Sequence, residues 1–188
     1  SIDASKFALF SQATAELLLD DPDNQPSAVH LHDWHAAFLL SLRAADPRYA
    51  ALKRLHCVFS IHNLALQGVG PLSGDPSSLH TRYPDVDPAQ VAPAHDPRWP
   101  NCINPMRAGI VLADRVQTVS PHYAIEITQP SDSARGFSGG EGLDADLREA
   151  QRSGRLVGIL NGCDYPTGEK RSKTTRSQVT DSIKHWGD

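Results

Sequence analysis

The chain has no long apolar run, no surplus of basic residues and no cysteine framework. No stretch of its 188 residues approaches the roughly 18 consecutive apolar positions that a membrane span needs, so no membrane partner is expected. Lys and Arg number 18 against 22 Asp and Glu, a formal net charge of −4, which offers no basic face to a nucleic acid. The three cysteines, Cys57, Cys102 and Cys163, lie too far apart for a zinc pattern, and an odd number makes a poor disulfide framework. Reduced thiols in a cytoplasmic protein are the simplest expectation, with Cys57 inside an apolar run as a core residue. A phosphate-cradling loop is missing too: Gly139-Gly140-Glu141-Gly142 fits neither the GxGxxG nor the Walker spacing. There is no internal repeat. The opening Ser1-Ile2-Asp3 has neither the basic flank nor the apolar core of a signal peptide. It also has no initiator Met, as an excised piece would lack one.

What is present suits one soluble globular domain or a large part of one: hydrophobic residues make up 39% and charged residues 21%. Four hydrophobic runs each stop at a short polar signature. Val29-His30-Leu31 stops at His32-Asp33-Trp34-His35, and Cys57-Val58-Phe59-Ser60-Ile61 at His62-Asn63. Val116-Gln117-Thr118-Val119 stops at Ser120-Pro121, and Leu156-Val157-Gly158-Ile159-Leu160 at Asn161-Gly162. The spacing predicts strands over about 27–31, 55–61, 115–119 and 155–160. Helices are expected over 6–19, 34–45, 47–54, from Pro105 to Ala113, from Pro121 to about 128, and around Leu143, Leu147 and Ala150. In the first helix Ser5 is the expected cap, with Phe7, Phe10 and Leu17 near one face. Strands alternating with helices imply an α/β fold with a parallel sheet and right-handed crossovers. Parallel strands put their carboxyl ends along one edge, where ligands bind, so Asp33, His62, Ser120 and Asn161 are expected to line one site.

Two segments break the alternation. Pro71 to Pro105 holds eight of the fourteen prolines and almost no periodicity. It reads as an excursion packed over the sheet edge, with Tyr83, Trp99 and Ile103 to bury. Residues 167–188 hold five Lys/Arg against three Asp/Glu, while 1–166 hold thirteen against nineteen. They read as a polar tail or linker after a domain spanning 1–166.

The cluster from His30 to His35 admits three readings. His30 and His32 project from one face of a strand and, with His35, are candidate metal ligands of a metal-dependent hydrolase, although no remote ligands stand out. Asp33 is a candidate helix cap, with the histidines packed under loops. It is also a candidate strand-end carboxylate facing a polar ligand. His62-Asn63 places two hydrogen-bonding side chains at the sheet edge or simply makes an Asn-mediated turn. Asn161-Gly162 alone reads as a tight turn.

Taken in order, His32-Asp33-Trp34-His35, Ser60-Ile61-His62-Asn63-Leu64-Ala65-Leu66-Gln67-Gly68, Ala113-Asp114-Arg115-Val116, Thr118-Val119-Ser120-Pro121-His122-Tyr123-Ala124, Glu141-Gly142-Leu143 and Gly158-Ile159-Leu160-Asn161-Gly162 carry a resemblance. Over roughly residues 5–166 the chain resembles the amino-terminal domain of bacterial glycogen synthases and plant starch synthases. The resemblance implies an incomplete Rossmann-like amino-terminal domain of a two-Rossmann-domain (GT-B) glycosyltransferase. It implies a retaining enzyme that moves glucose from ADP-glucose to the non-reducing end of an α-1,4-glucan, with no cofactor and no catalytic metal. Asp33 and His62 then match catalytic positions near the transferred sugar, and Asn63, Gln67 and Asn161 match substrate-binding positions. Leu66 stands where the family usually has an aromatic residue. The family's glycine-rich phosphate loop and its second domain are absent from these 188 residues, so a fragment inactive alone is expected. The alternative is a non-catalytic glucan-binding or interaction module of the same fold.

Overall fold

The computed structural model describes residues 2–20, 24 and 26–162. The expected boundary at 166 and the polar tail 167–188 lie outside the described residues. The main sheet has four strands, β1 (Ala28–His32), β2 (His56–Ile61), β5 (Arg115–Thr118) and β6 (Leu156–Gly158), all parallel and in the order β1-β2-β5-β6. Each strand adds on the same side of the one before. With right-handed crossovers, that order sends the connecting helices to a single face.

The burial pattern agrees. Leu31, Cys57, Phe59, Ile61, Val116 and Thr118 share one face and are all buried. Their helical cover is α1 (Ile2–Asp20), α3 (Phe38–Ala45), α6 (Pro105–Leu112) and α8 (Asp144–Arg152), which pack on one another in the pairs α1–α3, α3–α6 and α6–α8. Gly109 on α6 lets the helix approach the sheet: a Cβ there would run into the Phe59 ring. On the opposite face His30, His32, His56 and Arg115 are exposed, and Val58, Gln117 and Val157 are half-buried. At the amino-terminal edge, Asp114 Oδ2 accepts from the Cys57 N–H (2.7 Å) and from Arg43 Nη2 (3.2 Å), tying α3 to the start of β2.

Several expected elements take a different form. The helix over 34–45 breaks at Ala37 into α2 (Asp33–Ala36) and α3. Residues 47–54 form a 3-10 helix, capped by Asp46, which accepts from the Arg48 N–H. The first helix starts at Ile2, upstream of Ser5, and its buried face is Ala8, Ser11 and Ala15. Phe10 and Leu17 are exposed instead, Leu17 at 72%. Small residues let α1 sit close to its neighbours, and two phenols bridge the contact: Tyr83 Oη donates to Ala8 O (2.6 Å) and Tyr49 Oη to Glu16 Oε1 (2.5 Å).

The proline-rich excursion has structure of its own. Gly70–Pro71 (β3) pairs antiparallel with Cys102–Ile103 (β4). Between them, α4 (Leu79–Arg82) is capped by Ser78, and α5 (Pro88–Val91) is capped by Asp87 with Pro88 in its first turn. Leu79, Tyr83, Val86, Val91, Ala94 and Ile103 are buried. The excursion packs against α1, α3 and α6 and also reaches the loop after β2 at the sheet edge, while Trp99, expected to be buried, is 53% exposed. Its helices are single turns, too short to show a period.

Candidate functional site at the strand carboxyl ends

The carboxyl ends of β1 and β2 are joined through one side chain. Asp33 Oδ1 accepts from the His62 N–H (2.8 Å) and the Asn63 N–H (3.3 Å). Asp33 is therefore not a helix cap: the capping position of α2 is His32, which makes no side-chain capping bond. Asp33 adopts φ 54°, a left-handed backbone that costs an L-residue on the order of 1–3 kcal/mol. Two charge-assisted bonds to the neighbouring strand end offset that cost. Asp33 Oδ2 makes no hydrogen bond among the described residues.

His62 is exposed, and its ring is held from β1. His32 Nδ1 and His62 Nε2 lie 2.9 Å apart. His30 stacks behind His32 at 4.2 Å between centroids, with its Nε2 2.6 Å from Ser60 Oγ. Burial, and then the charges of His32 and His62, lower the His30 pKa below the usual imidazole range. The histidines thus bond to one another and to Ser60. Among the described residues no group of three or more His, Cys, Asp or Glu side chains is arranged to hold a metal ion.

Asn63 makes the turn that its sequence allows, with Oδ1 accepting from the Ala65 N–H (3.1 Å). The Leu64 N–H points at Tyr123 Oη (3.5 Å) from α7 (Pro121–Glu126), a helix capped by Ser120. Burial raises the Tyr123 pKa; the Leu64 contact opposes this, and the charges of Glu126, Glu141 and Asp33 add to it. Tyr123 therefore stays a neutral hydrogen-bonding group beside the cluster. In the sequence it is only the second residue after a Ser-Pro start.

Gln67, expected among the substrate-binding positions, lies on the loop after β2 with its side chain turned into the protein. It is buried and its amide is used by the protein: Oε1 accepts from Arg98 Nη2 (2.6 Å) and Asn104 Nδ2 (2.8 Å), and Nε2 donates to Glu141 O (3.0 Å). Asp96 closes this network by accepting from Arg98 and Asn104. Gln67 thus fastens the loop after β2 to the excursion and to the loop before α8. Gly68, at φ 70°, completes the turn where the Trp34 ring leaves no room for a Cβ. Leu66 is 58% exposed between these anchored residues. Asn161 is exposed three residues past β6, at the same sheet edge. With β5 between them, β6 itself runs two strand spacings, roughly 10 Å, from β2. The fold therefore brings Asp33, His62 and Asn63 together, puts Asn161 further along the edge, and withdraws Gln67 into the support.

Parallel strands with helices on one face and a polar cluster at their carboxyl ends define a Rossmann-like α/β protein whose ligand edge is that cluster. Residues 1–149 match the family model described as the starch synthase catalytic domain, and the chain belongs to that family. It is 38% identical over 171 residues to a glycogen synthase of Yersinia pestis, covering 90% of this chain and 32% of the relative. To a glycogen synthase of Streptococcus agalactiae it is 37% identical over 166 residues, covering 86% and 31%. The solved catalytic domain of starch synthase IV from Arabidopsis thaliana, bound to ADP and acarbose, superposes with a TM-score of 0.67 at 28% identity, covering 87% of this chain and 31% of that one. The chain spans about a third of the length of these relatives.

Proposed function

We propose that the full-length protein is a retaining glucosyltransferase that moves glucose from ADP-glucose to the non-reducing end of an α-1,4-glucan, in the cytoplasm. The observation that carries this reading is the hydrogen-bonded Asp33–His62–Asn63 cluster at the strand carboxyl ends, within a chain of the starch synthase family. Leaving-group departure builds positive charge on the anomeric carbon, and catalysis rests on positioning and on stabilising that charge. The Asp33 carboxylate supplies fixed negative charge at the edge and holds the turn that presents His62. The His62 ring, with Nε2 engaged by His32, has Nδ1 to offer a sugar hydroxyl. Asn63 and Asn161 are the amides in this reading that meet the remaining hydroxyls. Gln67 acts at one remove, by anchoring the loop that carries Asn63.

Incubating full-length protein with radiolabelled ADP-glucose and glycogen tests the reading. Label released as glucose by an enzyme that trims non-reducing α-1,4 ends is the expected result. Glycogen binding without any transfer would favour a non-catalytic glucan-binding module instead.

A further inference from the structure

Two consecutive residues of one strand end hold His62 by different handles. Asp33 takes its main-chain N–H, and His32 meets its ring, with Nδ1 2.9 Å from His62 Nε2 and the ring centroids 5.2 Å apart. His32 has its own backing. His30 stacks against it, and His30 is in turn bonded to Ser60, which is buried and pairs in register with His32 across the two strands. The three rings form a file along the open face of the sheet that ends at the carboxyl edge.

A neutral imidazole has one ring nitrogen that donates and one that accepts. A hydrogen bond between two imidazoles makes one ring the donor, and so decides the state of each ring's other nitrogen. If His62 Nε2 donates, Nδ1 is an acceptor; if Nε2 accepts, Nδ1 carries the proton. Either way the bond couples the tautomer of His62 to that of His32 and holds the His62 ring with Nδ1 turned away from His32, whereas the ring of a free histidine samples several orientations.

We propose that His32 is a positioning residue: it locks the tautomer and ring orientation of His62, so that one defined nitrogen, Nδ1, faces the ligand edge. This rests on the reading of His62 as a sugar-side residue of a glucosyltransferase. His32 does not touch the sugar; it acts through His62, as an outer-shell partner orients the group that makes the contact. The sequence alone does not separate a metal ligand from a member of a histidine file at His32, because a metal pattern and a hydrogen-bonded histidine file use the same residue types.

Two measurements test it. In this chain, NMR correlating ring nitrogens with carbon-bound ring protons, above the imidazole pKa, reads the tautomer of His62, assigned by comparison with His62→Gln. Widely separated nitrogen shifts are expected for the native chain. His32→Leu should draw them together as tautomers mix, and His32→Asn, which keeps a hydrogen-bonding group near the place of Nδ1, should largely restore them. In the full-length protein, His32→Leu should lower kcat by about tenfold or more with KM for ADP-glucose little changed, and His32→Asn should recover most of the loss. Unchanged His62 shifts in His32→Leu, or native kcat in that variant, would overturn the proposal. If the native full-length protein transfers no glucose, the functional reading fails, and the NMR result still decides whether His32 sets the tautomer.

Discussion

The two faces of the same four-stranded sheet obey different rules. On the one that meets the helices, the residues from Leu31 to Thr118 are buried, Val29 and Leu156 at the two outer strands are half-buried, and all of these except Thr118 are apolar or a thiol. On the other, the residues between them are histidines, a serine, a glutamine and an arginine, with Val58 and Val157 the half-buried apolar members. Parallel sheets are usually covered on both faces and read as continuous apolar runs. Here the runs are apolar on one side only, and the polar side supplies the histidine file that reaches the ligand edge. Burial energy comes from one face, which leaves side chains on the other available for positioning His62.

The largest break in that comparison should come from the covered face. Phe59 is completely buried beneath α6, and Phe59→Ala should cost about 3–5 kcal/mol, read from urea unfolding of the chain. A cost under about 1 kcal/mol would mean that α6 collapses into the gap, or that the two faces differ less than their burial indicates.

The next effect concerns the support beneath the edge. The Asp96 side chain is buried and accepts from the Arg98 N–H (2.8 Å), Arg98 Nη2 (3.0 Å), the Trp99 N–H (3.1 Å) and Asn104 Nδ2 (2.7 Å). Removing it in Asp96→Ala strands a guanidinium and three other donors, at a cost of about 3 kcal/mol, the low end for a broken buried pair because Arg98 is partly exposed. Burial alone would raise the Asp96 pKa, but the bonds from Arg98 and Asn104 outweigh it and hold the carboxyl below its ordinary 3.8. A folded pKa below the unfolded one gives stability that is complete above the unfolded value and lost as pH falls through the folded one. Acid unfolding followed by circular dichroism should therefore show a shallower loss of stability below about pH 4 in Asp96→Asn than in the native chain. Equal slopes would assign the acid sensitivity to other groups.

This support was the least legible part of the sequence, and its neighbour the most. The four strands and the caps at Asn104 and Ser120 follow from local rules: apolar runs, and a cap followed by proline. That Asp33 and His62 belong to one edge follows from parallel topology. What did not follow is what each polar group bonds to. Gln67 sits in the same phrase as His62 and Asn63, and its bonds to Arg98 and Asn104, which arrive from the excursion, are not announced by that phrase. The buried face of α1 is not its most hydrophobic one: Phe10 and Leu17 outrank Ala8, Ser11 and Ala15 in hydrophobicity, while close helix packing selects for small size. The break at Ala37 carries neither proline nor glycine to announce it.

At the edge itself the effect should fall on chemistry. His62→Ala or Asp33→Ala in the full-length protein should lower turnover by at least about a hundredfold, roughly 2.7 kcal/mol of barrier, with the fold retained. The two should separate by stability. His62 is exposed, so its loss should leave the melting midpoint unchanged. Asp33→Ala removes the bond between two strand ends and leaves alanine at φ 54°, so it should lower the midpoint as well. Near-native turnover in a folded His62→Ala protein would return that residue to the file of stacked rings with no part in transfer.

The smallest effect is the sharpest test of the contrast. His56 lies on the open face at the amino end of β2, exposed and distant from the ligand edge. A β-branched, polar replacement keeps the strand preference, so His56→Thr should change the unfolding free energy by no more than about 0.5 kcal/mol, the range of ordinary surface substitutions. Turnover of the full-length protein should not change. Because Phe59 and His56 belong to the same strand, the pair holds backbone and register constant and varies only the face. If His56→Thr instead costs more than about 1.5 kcal/mol in the full-length protein but not in this chain, the open face is covered there, since only a residue packed against something loses that much on so small a change. The histidine file would then run between two layers, and the asymmetry between the faces would belong to these 188 residues alone. A small cost in both forms would leave that end of the face in solvent and keep the burial on the helical side.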